Sequence, residues 1–186
     1  MVQDRTRKIV ITGVLSAISI FLGITRLGFI PWITGASLTI MQVPVIIGAV
    51  LEGPVVGMAI GLIFGVFSLI QAAVAPTGPT DVWFTNPLLS ILPRLFIGPM
   101  SWFIYRLLNR WKIPALLSAG IVGSLTNTTL VLGMIGVLGY VPWVAIPPII
   151  FGNGLPEAVA SAILVVSVVS IWHQIERHGK NEGSSL

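Results

Sequence analysis

The chain has 186 residues, of which 55% are apolar and only 9% are charged, and its mean hydropathy is +0.98. Soluble domains carry roughly a quarter charged residues, so this composition excludes a water-soluble globular fold. The formal net charge of +4 does not indicate nucleic-acid binding, because the basic residues stand at the ends of apolar segments and do not form a binding stripe. Cysteine is absent, which rules out disulfides, thiolate metal sites and cysteine nucleophiles.

The apolar segments predict an all-α fold with six transmembrane helices. Each crossing of the bilayer needs about 20 mostly apolar residues, so a chain of this length forms a single integral membrane domain over residues 1–186. In chain order, the predicted helices cover residues 8–24, 38–51, 54–75, 88–107, 114–139 and 147–172. We expect the Pro- and Gly-rich stretch from Pro76 to Pro87 to be the longest loop. We also expect the polar tail from Gln174 to Leu186 to be frayed.

The distribution of basic residues predicts that both termini face the cytoplasm, where the flanks of membrane helices carry excess Lys and Arg. Of the 10 Lys and Arg residues, only Arg26 and Arg94 then fall in the outer half. Tryptophans are typical of both membrane interfaces. This topology places Trp32, Trp83 and Trp143 on the three outer loops, and Trp111 and Trp172 at the inner boundary.

Two helices carry small residues at four-residue spacing, a pattern that lets another backbone approach closely. The third predicted helix has Gly53, Gly57, Gly61 and Gly65 on nearly one face, which favours packing within the chain over a subunit interface. The first helix has Gly13 and Ala17, and here a docking surface for a partner and tight internal packing are both open.

Polar side chains within apolar spans are functional candidates, because burying them costs free energy unless they are paired or hydrated. The candidates all fall in the outer half or near mid-depth: Arg94, Glu157, Asn127, Asn153, Gln42 and Gln71. Pro93, Pro99 and Pro156 interrupt two of the helices, and irregular backbone at this depth is typical of a cavity wall.

This asymmetry predicts a polar cavity that opens outward and takes a small polar ligand supplied from outside. Arg94 would pair with a carboxylate or phosphate, Asn127, Asn153 and Gln42 would orient amides and hydroxyls, and Trp83 and Asn86 would contact the ligand from the outer loops. Two structural alternatives stay open. Arg94 could form an ion pair with Glu157 or Asp81, and Glu157 could bond backbone groups freed by the Gly152–Pro156 break.

Enzymatic function is not predicted. His173 and His178 stand at the cytoplasmic end, far from any intramembrane serine, and no His, Asp or Glu group recurs at metal-ligating spacing. The chain has no phosphate-binding loop, so a partner must hydrolyse ATP if ATP powers transport. We expect no cofactor. The alternative function is a stand-alone secondary transporter or channel, for which inverted repeats or a full-depth charge relay would be expected.

Several sequence segments resemble the S components of energy-coupling factor (ECF) transporters. The resemblance covers roughly residues 8–171, and residues 43–65 are its most specific part. The matching segments are Arg26 to Pro31, Ala36 to Met41, Val43 to Gly48, Glu52 to Pro54, Gly61 to Gly65, Leu92 to Arg94 and Leu125 to Thr128.

The resemblance implies a six-helix subunit of the prokaryotic plasma membrane that binds a vitamin from outside. It implies a membrane coupling subunit and two ATPase subunits as partners, beside the lipid bilayer. The family's Ala-x-x-x-Ala docking motif falls on Gly13 and Ala17, a departure that is conservative in size. The pattern is closest to members for pantothenate, while riboflavin, folate, hydroxymethylpyrimidine and a cobalamin precursor stay open.

Overall fold

The computed structural model describes residues 2–31, 37–76, 78 and 80–183, so Trp32 lies outside the described residues. The helices are α1 (Val2–Ile24), α2 (Val43–Glu52), α3 (Pro54–Val74), α4 (Pro87–Ser90), α5 (Leu92–Leu107), α6 (Lys112–Val137), α7 (Ile146–Ile149) and α8 (Leu155–Gly183). Short helical turns at Asp81–Thr85, Trp143–Ala145 and Ile150–Gly154 connect them, the last being a π-helical turn. The predicted all-α membrane bundle is confirmed.

Five helical segments within the described residues are long and apolar enough to cross a membrane: Asp4–Ile24, Pro54–Val74, Pro87–Leu107, Lys112–Val137 and Trp143–Glu176. The sixth, α2, has 10 residues and is therefore about 15 Å long. That is about half of the hydrocarbon core. If α4 and α5 are counted as one helix and α7 and α8 as another, the prediction of six helices holds. Helix α2, however, reaches only part of the way through the bundle.

The prediction of a helix over 38–51 was wrong at its start. Strands β1 (Phe29–Pro31) and β2 (Ser37–Thr39) pair antiparallel, with Phe29 opposite Thr39. The helix begins only at Val43, where Pro44 in the first turn presets the backbone dihedral. The hairpin and α2 together replace one straight span.

Two other predicted helices are interrupted. The span at 88–107 breaks at Ile91 between α4 and α5, because Pro93 has no backbone N–H to continue the hydrogen-bond ladder. The last span contains the π-helical turn Ile150–Gly154 just before Pro156. Its end was also predicted wrongly, because α8 continues as a helix to Gly183.

The glycine ladder of α3 packs against α4 and α5, which confirms the interpretation of packing within the chain. A Cβ atom added at Gly57 would lie 2.8 Å from the Cα of Gly98, and one at Gly65 would lie 2.8 Å from the carbonyl oxygen of Ser90. A Cβ at Gly61 would collide with the carbonyl oxygen of Arg94. Gly53 lies outside this contact: its φ of +100° makes the sharp turn between α2 and α3.

An ion-pair cluster brings both termini to one end of the bundle. Arg7 on α1 contacts Glu52 at the end of α2 (Nε to Oε1, 2.6 Å) and Glu176 on α8 (Nη2 to Oε1, 2.9 Å). Glu176 thereby anchors part of the tail that was expected to fray. We call this the termini end and the opposite end, with β1 and β2, the hairpin end. That the termini end faces the cytoplasm stays a prediction.

Candidate functional site

Helices α6 and α8 run antiparallel, and each carries two polar side chains one helical turn apart. Ser124 and Thr128 lie on α6, and Glu157 and Ser161 lie on α8. Residues four apart share one face of a helix, so the four side chains form two polar layers between the helices. Gly120 permits the close approach, since a Cβ there would lie 2.5 Å from the Cα of Ala162.

The first polar layer contains Gln42, which is fully buried just before α2. Its Nε2 donates to the hydroxyl oxygen of Ser124 at 3.2 Å and lies 3.5 Å from that of Ser161. Gln42 thus joins the start of α2 to both long helices.

The second layer contains Glu157, whose carboxylate accepts two hydrogen bonds. Oε1 accepts from the backbone N–H of Thr39 at 2.7 Å, and Oε2 accepts from the hydroxyl of Thr128 at 2.9 Å. The backbone group that Glu157 binds therefore belongs to strand β2, not to the break in its own helix. The carboxylate ties the hairpin to α6 and α8.

Arg94 is buried in the first turn of α5 and compensates for the proline beside it. Pro93 cannot donate to the carbonyl of Leu89 four residues back, and the Arg94 Nη1 donates to that oxygen at 2.7 Å. The guanidinium carbon also lies 5.4 Å from the ring centre of Phe64 and 5.1 Å from that of Phe84. No direct salt bridge joins Arg94 and Glu157 in the described part of the chain.

Three of these buried side chains each have one polar atom without a hydrogen-bond partner among the described residues. These atoms are Gln42 Oε1, Arg94 Nε and Asn127 Oδ1. Asn127 is buried on α6, directly before Thr128. Most buried polar atoms in proteins are paired. One cationic donor and two amide acceptors thus lie buried without a hydrogen-bond partner among the described residues, and their chemistry matches an acidic ligand that also carries N–H or O–H groups.

The remaining predicted ligand contacts lie toward the hairpin end, and their binding role stays a prediction. Trp83 stacks on Tyr140, with ring centres 5.3 Å apart and planes 6° apart. The Asn86 side-chain oxygen accepts from the N–H of Leu88 at 3.0 Å and so caps α4. Asn153 is half-buried in the π-helical turn. Gln71 donates to the carbonyl of Gly23 at 3.3 Å, and thereby ties α3 to α1.

We call the buried polar side chains of both layers, together with Arg94 and Asn127, the polar group. The sequence interpretation missed four residues that belong to it or bond to it, namely Thr39, Ser124, Thr128 and Ser161. Their signal is weak, because Ser and Thr are common in membrane helices, where they usually bond their own backbone. The spacing of Ser124 and Thr128 around Asn127 is the feature that could have found them. No group of three or more His, Cys, Asp or Glu side chains that could hold a metal ion lies within the described segments.

The predicted docking residues Gly13 and Ala17 are both exposed on α1. A Cβ at Gly13 would meet no atom within 4 Å. Large apolar side chains surround them on the same helix, with Val10, Val14 and Ile18 exposed by 55%, 54% and 43%. Helix α1 therefore has a small-residue face that no other part of the described chain covers.

Comparison with known proteins decides the family. Residues 7–169 match the sequence profile of the family described as ECF transporter, substrate-specific component. The chain belongs to this family. It is a multi-pass membrane protein that serves transport and is not an enzyme, and proteins of this kind work with partner subunits of the ECF module. The resemblance seen in the sequence is confirmed.

Two relatives of this substrate-specific component carry names that state a substrate. The pantothenic acid transporter of Lactococcus lactis subsp. cremoris is 29% identical over 150 residues, which cover 70% of this chain and 75% of the relative. The pantothenate transporter of Leuconostoc mesenteroides subsp. mesenteroides is 34% identical over 115 residues, which cover 60% of this chain and 55% of the relative.

Proposed function

We propose that this substrate-specific component captures pantothenate from outside the cell at the polar group around Gln42, Arg94 and Asn127. The observation that carries the proposal is the set of unpaired buried atoms, namely Arg94 Nε, Gln42 Oε1 and Asn127 Oδ1. Pantothenate has a carboxylate, an amide and hydroxyl groups. The carboxylate would pair with Arg94 in a charge-assisted hydrogen bond, while the amide N–H and the hydroxyls would donate to the two side-chain amides.

The other residues of the group have supporting roles in this proposal. Glu157 and Gln42 hold the hairpin and the start of α2 against α6 and α8. In this proposal Trp83, Asn86 and Asn153 contact the ligand as it enters from the hairpin end. The names of the two relatives favour pantothenate over the other vitamins.

We further propose that the partners are a membrane coupling subunit and two ATPase subunits in a prokaryotic plasma membrane. The exposed face of α1 around Gly13 and Ala17 would dock on the coupling subunit. Ligand binding and ATP hydrolysis are then separated in space, because the proposed ligand-binding residues lie toward the hairpin end and the ATPases act at the termini end. A stand-alone transporter would instead accumulate pantothenate in vesicles that contain this chain alone.

The test compares Arg94→Gln with Arg26→Gln by isothermal titration calorimetry of the purified subunit. Arg26 is the matched control, since it is the other arginine assigned to the outer half and its side chain is exposed. A hydrogen bond to a charged group is worth about 1.5–3 kcal/mol, so Arg94→Gln should weaken pantothenate binding roughly 10- to 100-fold. Arg26→Gln should bind like wild type. Equal affinity of all three proteins would contradict the assignment of Arg94.

A further inference from the structure

Two phenylalanines that the sequence interpretation did not select lie against the Arg94 guanidinium. Phe64 belongs to α3 and is buried, with only 2% of its surface exposed. Phe84 belongs to the turn Asp81–Thr85 and is half-buried. Both ring centres lie within 5.4 Å of the guanidinium carbon, a distance at which the electron-rich face of an aromatic ring attracts a cation.

The position of Phe84 is itself fixed by two contacts. The hydroxyl of Ser90, which is fully buried, donates to the carbonyl of Phe84. Trp83, the neighbouring residue, stacks on Tyr140. The turn that carries Phe84 is thus attached to α4 and to Tyr140, which follows α6, and these contacts hold the turn beside the arginine.

A flexible arginine loses rotamer freedom when it captures a ligand, and that loss weakens binding. Arg94 has already lost this freedom, since Nη1 is bonded to the Leu89 carbonyl and two rings contact the guanidinium. The charge is therefore held in place. The Nε of Arg94 has no hydrogen-bond partner among the described residues.

We infer that Phe64 and Phe84 are positioning residues that hold Arg94 for an anionic group and so give the site its preference for a carboxylate over a neutral ligand. The inference rests on the proposed function. A purely structural role is the competing explanation, because Phe64 is part of the apolar core and Phe84 packs beside Leu89. If the rings only pack the core, removing one should weaken the binding of every ligand equally. If they position the charge, removing one should weaken the binding of the anionic ligand alone.

Pantothenol separates these explanations, because this alcohol analogue of pantothenate lacks the carboxylate. The variants are Phe84→Leu, Phe84→Met and Phe64→Leu, with Phe84→Trp as a rescue that keeps a ring face. Phe103→Leu is the control for loss of an aromatic ring, since Phe103 lies on α5 and is 60% exposed. Titration calorimetry on each full-length subunit gives the affinity for both ligands.

The wild type should bind pantothenate more tightly than pantothenol. Removing either ring should weaken pantothenate binding about tenfold, within the range for a desolvated cation–π contact, and leave pantothenol affinity unchanged. Phe84→Trp and Phe103→Leu should keep the wild-type preference. Phe84→Met introduces an unbranched, flexible side chain that can fill an irregular gap, so it provides the result if Phe84→Leu does not fold.

Equal weakening of both ligands in the Phe84 and Phe64 variants would overturn the inference and leave the proposed function intact. A wild type with no preference between the ligands would overturn it as well. If the wild type binds neither ligand, the proposed function itself fails, so the two failures are distinguishable.

Discussion

Helices α1 and α3 carry the same small-residue pattern and use it in opposite ways. On α3, Gly57, Gly61 and Gly65 leave no room for a methyl group, because the backbone of α4 and α5 lies against them. On α1, a methyl group at Gly13 would touch none of the described residues. The difference shows that four-residue spacing of small residues indicates close packing in general, and that burial decides whether the partner is internal.

The glycines of α3 also support the segment of backbone that carries Arg94. Gly61 contacts the Arg94 backbone and Gly65 contacts Ser90 and Ile91, so α3 supports the junction between α4 and α5. Glycine at these positions thus positions a polar group that lies on another helix. Gly13 supports no other helix among the described residues, because its face on α1 is exposed. Substitutions on the two helices should separate these roles, and their effects on the stability of the subunit should fall in the order given below.

Gly61→Leu should have the largest effect on stability. The new side chain would collide with the backbone carbonyl of Arg94 on α5, and a packed core tolerates such overpacking poorly. We expect loss of monodisperse folded protein in size-exclusion chromatography in detergent. Gly13→Leu, which adds the same atoms to an exposed site, is the control. A folded Gly61→Leu subunit with a normal melting temperature would contradict the close packing of α3 against α5.

Gly65→Ala should have a smaller effect. Its Cβ would lie 2.8 Å from the Ser90 carbonyl oxygen and 2.9 Å from the Ile91 Cα, so α4 and α5 must shift. Overpacking of this kind costs about 1–3 kcal/mol, which thermal melting would detect. The shift should also weaken pantothenate binding, because it moves the residues before Arg94. Gly133→Ala on α6 is the control, since a Cβ there meets nothing within 4 Å; wild-type melting of both variants would argue against a tight α3 contact.

Gly13→Leu and Ala17→Leu should leave folding and pantothenate binding at wild-type values, because both residues are exposed on α1. ATP-driven uptake by the complete complex should be lost, since a bulky side chain would block close approach of the coupling subunit. Uptake is measured with radiolabelled pantothenate in proteoliposomes. Normal uptake in either variant would remove the α1 face as the docking surface.

Gly13→Ala should have the smallest effect and sharpens the same point. It restores the Ala-x-x-x-Ala pattern on α1, and alanine favours a helix over glycine by about 1 kcal/mol or less. We expect unchanged uptake and an equal or slightly higher melting temperature. A strong loss of uptake would show that the contact at this position requires glycine.

Features set by the local sequence could be predicted, whereas features that depend on contacts between distant segments could not. Long apolar runs identified the membrane helices because crossing the bilayer requires them. The deep polar residues Gln42, Arg94, Asn127 and Glu157 were found because their burial is costly. The hairpin at Phe29–Pro31 and Ser37–Thr39 was missed, since such short strands depend on tertiary contacts, here including the bond from Thr39 to Glu157.

Pairing within the polar group was beyond the sequence for a related reason. Which side chains meet depends on the rotation of each helix, and breaks at Ile91 and at the π-helical turn Ile150–Gly154 change that rotation. The roles of Ser124 and Ser161 as partners of Gln42 follow only from the antiparallel contact of α6 and α8. The contacts of Phe64 and Phe84 with Arg94 could not be predicted either, because the three residues lie on different elements.

Native mass spectrometry of the gently purified subunit tests the central claim most directly. The chain is incubated with pantothenate and released from its detergent micelle, and the mass of the intact complex is read. The account predicts one bound molecule with the mass of pantothenate in the wild type and a strongly reduced bound fraction in Arg94→Gln. A wild-type subunit that stays empty at saturating pantothenate would contradict the proposal that this chain captures that vitamin.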